Sequence, residues 1–230
     1  MVFTHPSLIV LTGFLFLTVT VIHLIACYKR YPKTRTATKV LLMPLLCLFY
    51  LSVAREIRLL VVAAILFGWI GDVLLLLERK NTFMLLGIIA FALGHVCYIS
   101  AILAAYPHPG LQILIPLALL AAWITFVCMK LLPYAPKSLR VPGLIYAILL
   151  SGTCLSALYE LLCTCKGAYA IAFVGGLFFM LSDTLLTGQQ YRKELRHGNF
   201  YVMLTYILAQ LLLIVGLAQT GGIRIWNLPL

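Results

Sequence analysis

Apolar residues in this chain gather into eight long blocks, at about 8–27, 38–54, 58–77, 82–104, 111–132, 141–160, 168–187 and 199–219. Each block is long enough to cross the roughly 30 Å hydrocarbon layer of a bilayer as an α-helix. The breaks between them carry charge, proline or glycine: 29–39, 55–58, 78–80, 107–110, 133–140, 166–167 and 188–198. None is long enough to separate domains. The pattern therefore predicts an all-α polytopic membrane protein, with residues 1–230 forming a single transmembrane domain of about eight helices. The first block lacks a basic leader and an obvious cleavage site, so it is expected to stay as a helix rather than be removed as a signal peptide.

Composition agrees with lipid as the solvent. Of 230 residues, 63% are hydrophobic and 10% charged, and the mean hydropathy is +1.09. A soluble domain of this size could not bury so much apolar surface in one core. The formal charge of +11 would point to nucleic acid in a soluble protein. Here the basic residues sit in short connectors, and no basic, aromatic-interleaved segment exists to carry such binding. No nucleic-acid partner is expected; membrane lipids are. The seven cysteines show no CxxC pair and no metal-ligand spacing, so no metal site is expected.

Orientation follows from the basic residues. Lys29, Arg30, Lys33, Arg35, Lys39, Arg79, Lys80, Lys130, Lys137, Arg140, Arg192, Lys193 and Arg196 fall on one side, leaving Arg55, Arg58, Lys166 and Arg224 on the other. By the positive-inside rule the first group is cytoplasmic and both termini lie outside the cytoplasm. FGWIGDVLLLL (67–77) and FFMLSDTLLTG (178–188) also echo each other four helices apart. A four-plus-four parallel repeat would produce that echo.

Each echo contains an aspartate. Asp72 and Asp183 lie inside apolar helices, where a carboxylate costs at least roughly 2.5–3.5 kcal/mol at the bilayer centre and normally faces a cavity. Both are expected about five residues from the basic end of their helices. Gly71 and Ser182 beside them let a helix or a substrate approach closely. Two carboxylates in one low-dielectric pocket disfavour double ionisation, which can set a general acid beside a general base. The bland alternative is a pair of carboxylates that tie neighbouring helices together. Lys39, expected to open the second helix, suits a phosphate oxygen, although a snorkelling anchor has the same pattern. His95 and Tyr98 share a helix face, and Tyr146, Asn199, Tyr206 and Gln210 add hydrogen-bonding groups to apolar helices. Glu160, at the opposite face, reads as a helix-end residue. No phosphate loop, GxSxG elbow or HExxH motif is present.

The ordered set GDVLLLLE (71–78), GHVCYISAI (94–102), Tyr146, GGLFFMLSDTLL (175–186) and LTYILAQLLL (204–213), together with Lys39, resembles the lysoplasmalogenase family of YhhN-like eight-helix membrane proteins. The resemblance covers roughly residues 38–215. It implies hydrolysis of the vinyl ether bond of lysoplasmalogens to a fatty aldehyde and glycerophosphocholine or glycerophosphoethanolamine. It implies Asp72 and Asp183 as the acid/base pair, with Lys39 meeting the substrate phosphate. His95, Tyr98, Tyr146, Asn199, Tyr206 and Gln210 would then shape the pocket. No cofactor is required. The host membrane would be a bacterial inner membrane or the endoplasmic reticulum. A proton-coupled transporter of lipids or small molecules is the main competing reading, since paired intramembrane carboxylates also relay protons. An intramembrane aspartyl protease fits less well, because GWIGD lacks the GxGD signature.

The charge asymmetry makes a direct prediction. Reporter fusions after Arg35, Lys80, Lys137 and Lys193 should all report the cytoplasm, and a fusion at the C-terminus the opposite side. A cytoplasmic C-terminus would overturn the orientation.

Overall fold

The computed structural model describes residues 6–77, 81–104, 110–191 and 195–220. Within them are eight helices long and apolar enough to cross a membrane, and no strand. They are α1 (Pro6–Lys29), α2 (Pro32–Val53), α3 (Leu59–Leu76), α4 (Asn81–Leu103), α5 (Leu114–Phe126), α6 (Lys137–Thr164), α7 (Gly167–Tyr191) and α8 (Gly198–Gln219). The protein is an integral multi-pass membrane protein. Glu78, Arg79, Lys80, Arg192, Lys193 and Arg224, used above in the motif and the charge count, lie outside the described residues.

Three boundaries depart from the apolar blocks in ways that matter. Helix α2 begins at Pro32, two turns before its apolar block, with proline in the first turn. Proline is suited to that place because its missing N–H would have no helical partner there and its φ is already helical. Lys39 is therefore not the residue that opens the helix; it lies inside, two turns from the start. Helix α7 runs on to Tyr191, beyond the expected end near residue 187. Helix α5 finishes in a π-turn (Val127–Leu131) and a 3₁₀ turn (Leu132–Tyr134).

Neighbour contacts run α1, α2, α3, α4, α6, α7, α8 and back to α1, with α8 also touching α2 and α5 packed outside on α6. The outward faces carry exposed Val10, Phe14, Leu59, Leu114 and Val141. Such a surface is stable only against acyl chains.

With lipid outside, helices gain little from hiding apolar surface against each other, so close contact and polar links hold the bundle. A Cβ added at Gly175 in α7 would stand 2.7 Å from the Leu213 backbone nitrogen in α8. One added at Gly216 in α8 would stand 2.7 Å from the Ala168 carbonyl oxygen in α7. Only glycine allows these two backbones to meet. At Gly176 the same test finds Cys154 Cα of α6 at 2.6 Å, so α7 is closely held on two sides.

Polar links supply the rest. Pro44 sits inside α2 and has no N–H for the carbonyl of Val40, four residues earlier. The Trp69 indole of α3 donates to that carbonyl at 2.9 Å. A proline that would have left an orphan acceptor in lipid becomes a latch between α2 and α3. At the opposite end of the bundle, the Arg58 guanidinium donates to the Ala101 and Leu217 carbonyls, both at 2.8 Å. It thereby ties the last turns of α4 and α8 to the start of α3.

Replacing Gly175 or Gly216 by Ala forces backbone apart and should cost about 1–3 kcal/mol, read as a lower melting temperature in detergent. Gly188→Ala is the control, since nothing lies within 4 Å of its added Cβ, and it should leave stability unchanged or slightly raised.

Candidate active site

Between the helices, in the half of the bundle nearer the basic connectors, lies a cavity of about 310 Å³. Both intramembrane aspartates line it, together with Lys39, Tyr146, Asn199 and Tyr206. The volume is at the low end of the range for small-molecule sites. Leu75, Leu76, Ile88, Leu139 and Leu150 give much of the wall its apolar character.

The two carboxylates sit in unlike surroundings. Asp72 on α3 is 3% exposed. Its Oδ1 is 3.2 Å from Lys39 Nζ of α2, and its Oδ2 accepts a 2.8 Å hydrogen bond from the Tyr206 hydroxyl of α8. That is the one ion pair among the described residues. Asp183 on α7 accepts a short hydrogen bond from the Tyr146 hydroxyl of α6 through its Oδ2. No cation is paired with Asp183 among the described residues. Five helices thus meet around two acids, one held by an ammonium and a phenol and the other by a phenol alone. Asp72 lies four residues from the end of α3, Asp183 eight from the end of α7, because α7 continues past its apolar block.

The residues beside the aspartates hold them in place. The Ser182 hydroxyl donates to the Val202 carbonyl at 3.1 Å, fixing α7 on α8 next to Asp183. The absence of a side chain at Gly71 admits the Phe91 ring, which would lie 2.6 Å from an added Cβ. Phe91 in turn touches both phenols, with ring centroids 6.4 Å from Tyr146 and 6.5 Å from Tyr206. Phe179 stands edge-on to Tyr206 at 5.5 Å. The aromatic rings leave the two hydroxyls little room to turn away from their acids.

Not every candidate from the sequence reaches the cavity. His95, Tyr98 and Gln210 are buried behind its wall. The Tyr98 hydroxyl donates to Gln210 Oε1 at 2.9 Å, joining α4 to α8. His95 Nδ1 is 3.0 Å from Thr153 Oγ1 of α6, and its ring packs on Phe179 and Tyr146. These three support the residues that do line the cavity. Asn199 lines it from the exposed start of α8.

Two residues passed over in the sequence line it as well. Arg35 is four residues before Lys39 on α2, hence on the same face; the proline at the helix start was the signal that could have found it. His23 of α1 is fully buried beside them, its Nδ1 2.7 Å from Thr38 Oγ1. Glu160, by contrast, is far from the cavity wall, fully buried in the last turns of α6. Its two carboxylate oxygens have no hydrogen-bond partner among the described residues. It stands near a helix end, as its position suggested, but is enclosed there.

Comparison with known proteins follows the same residues. The YhhN family profile matches residues 34–217, a stretch that contains every residue named above as lining the cavity except His23. Lysoplasmalogenase TMEM86B of Sus scrofa is 30% identical over 161 residues, covering 70% of this chain and 64% of that protein. The chain thus spans a little under two thirds of the length of the curated relative it matches. No solved structure matches it. With the family match running through most of the chain and through both aspartates, this protein belongs to the YhhN family.

Proposed function

We propose that this protein hydrolyses the vinyl ether bond of lysoplasmalogens within the membrane, releasing a fatty aldehyde and a glycerophospho-choline or -ethanolamine. The observation that carries the reading is the pair of unlike carboxylates in one apolar cavity. An enol ether opens when its β-carbon takes a proton, which makes an oxocarbenium ion that water then attacks. Such a reaction needs an acid, an anion near the developing cation, and a base for the water, and two aspartates can divide these tasks.

The surroundings suggest how they divide them. Asp72, facing an ammonium and a phenol, is suited to remain the anion. Asp183, half-buried in an apolar cavity wall without a paired cation among the described residues, is suited to carry the proton, because an unpaired charge withdrawn from water is costly. Asp183 would donate to the β-carbon while Tyr146 holds its other oxygen. Asp72 would stabilise the oxocarbenium ion and take a proton from the attacking water. Collapse of the hemiacetal moves its hydroxyl proton to the leaving glycerol oxygen, and transfer of a proton from Asp72 to Asp183 restores the pair. The name of the matching relative supports this substrate class. The eight helices would act as one transmembrane domain, with the cavity mouth toward the cytoplasm.

A transporter needs a path through the bundle. Beyond the aspartates, the described residues Leu46, Tyr50, Ile65, Tyr98 and Ile102 are at most 2% exposed. This packed layer favours a closed pocket with one mouth.

Aldehyde release from alkenyl lysolipid and fatty-acid release from its acyl counterpart, measured side by side with purified protein in detergent, test the reading. The alkenyl form should turn over, while acyl and alkyl analogues should only compete. Comparable ester cleavage would instead indicate a lysophospholipase, and no turnover of any form a transporter. Asp72→Asn and Asp183→Asn should each lower kcat by roughly 10²–10⁴-fold; near-normal turnover in either would remove that residue from the mechanism.

The ion pair has its own test in stability. Lys39→Met leaves Asp72 buried without its cation and should cost about 3 kcal/mol. The double variant with Asp72→Asn should recover much of that loss. Additive melting shifts would show that the two side chains are not coupled.

A further inference from the structure

Lys39 stood out in the sequence as the natural partner for a substrate phosphate, but its ammonium is 3.2 Å from Asp72 Oδ1. Moving it to a phosphate would strip the buried aspartate of its cation. A second cation lines the same cavity. Arg35 is half-buried in the wall, one helical turn from Lys39 toward the basic end. Three other arginines use their donors on backbone carbonyls: Arg30 on Arg196, Arg58 on Ala101 and Leu217, and Arg140 on Pro133 and Ala135, while Arg55 and Arg196 are exposed in connectors away from the cavity lining. The Arg35 guanidinium has no hydrogen-bond or ion-pair partner among the described residues. It is a fork of donors at a cavity wall with nothing to bind.

We propose that Arg35 receives the phosphodiester of the lysolipid, while Lys39 serves as the positioning residue of Asp72. This rests on the hydrolase reading for the identity of the lipid. The spacing fits. Four residues of helix rise about 6 Å from Lys39 to Arg35. Five single bonds separate the ether oxygen of a lysoplasmalogen from its phosphorus, which extended also span about 6 Å. With the vinyl ether at the level of Asp72 and Lys39, the phosphate reaches Arg35. A guanidinium matches two phosphate oxygens at once, which an ammonium cannot do. The arrangement keeps the phosphate's negative charge one turn away from the ammonium that holds Asp72.

The test compares alkenyl lysophosphatidylethanolamine with the neutral alkenylglycerol of the same chain. Arg35→Gln should lower the preference for the phosphorylated substrate by about 10- to 100-fold in kcat/KM, mainly through KM. Arg35→Lys should keep part of the preference. Lys39→Gln should lower kcat on both substrates alike and leave the preference in place. An unchanged preference in Arg35→Gln, or its loss in Lys39→Gln, overturns the assignment. Binding of the acyl lysophosphatidylethanolamine and of monoacylglycerol, followed by calorimetry in detergent, provides an arm that needs no turnover. Selective weakening of the phosphorylated lipid by Arg35→Gln supports the assignment even where no aldehyde is released, which separates it from failure of the hydrolase reading. Inorganic phosphate should not displace the lysolipid. Displacement at low millimolar concentration would make Arg35 a free-anion site and overturn the lipid assignment. Circular dichroism and a single elution peak check that each variant is folded; equal weakening of both lipids in a folded Arg35→Gln protein would also overturn it.

Discussion

A carboxylate in hydrocarbon must be matched by charge or hydrogen bonds drawn from helices that have little other reason to converge. In this protein Asp72 of α3 is matched by Lys39 of α2 and Tyr206 of α8, which brings three helices, one of them from the far end of the chain, to one point. Much of the bundle's arrangement serves that point. The latch between Trp69 and the carbonyl left open by Pro44 holds α2 against α3 within one residue of Lys39. Phe91 lies on Gly71, so α4 closes over the aspartate from the other side. Loosening any of these contacts would expose the ion pair to lipid or separate it, and either outcome is costly.

The second aspartate is held by different means. Asp183 belongs to α7, whose glycines bring it into backbone contact with α6 and α8. Its partner is the Tyr146 hydroxyl of α6. Although the two aspartates occupy similar sequence contexts, their partners are not equivalent: one acid faces a cation and the other does not. That difference, more than the presence of two acids, makes a division of labour between them chemically reasonable. Two cations of α2, Lys39 and Arg35, stand at successive turns of the same cavity wall, the first of them beside an acid.

The eight helices were legible from the sequence because lipid imposes a length and an apolarity on every crossing, and both can be counted. The aspartates were legible for the complementary reason: a charge inside an apolar block is conspicuous. Tyr146 and Tyr206 could be named as hydrogen-bonding groups, but not matched to Asp183 and Asp72. Arg35 was hidden because a polar first turn of a helix looks like a connector when hydropathy alone marks the boundary. The role of Lys39 changed for the same reason, since its place two turns inside α2 brings it level with Asp72.

By itself, then, the sequence determined that the chain crosses a membrane about eight times and carries two acids at similar depth, because burial in lipid restricts which residues can stand where. Only the tertiary structure decided which side chains meet: that Lys39 pairs with Asp72, that Tyr146 serves Asp183, and that His95, Tyr98 and Gln210 stand behind the cavity wall. Those pairings depend on how helices far apart in sequence rotate and approach one another. Small residues and single hydrogen bonds set that approach, and they leave no periodic signal in the chain.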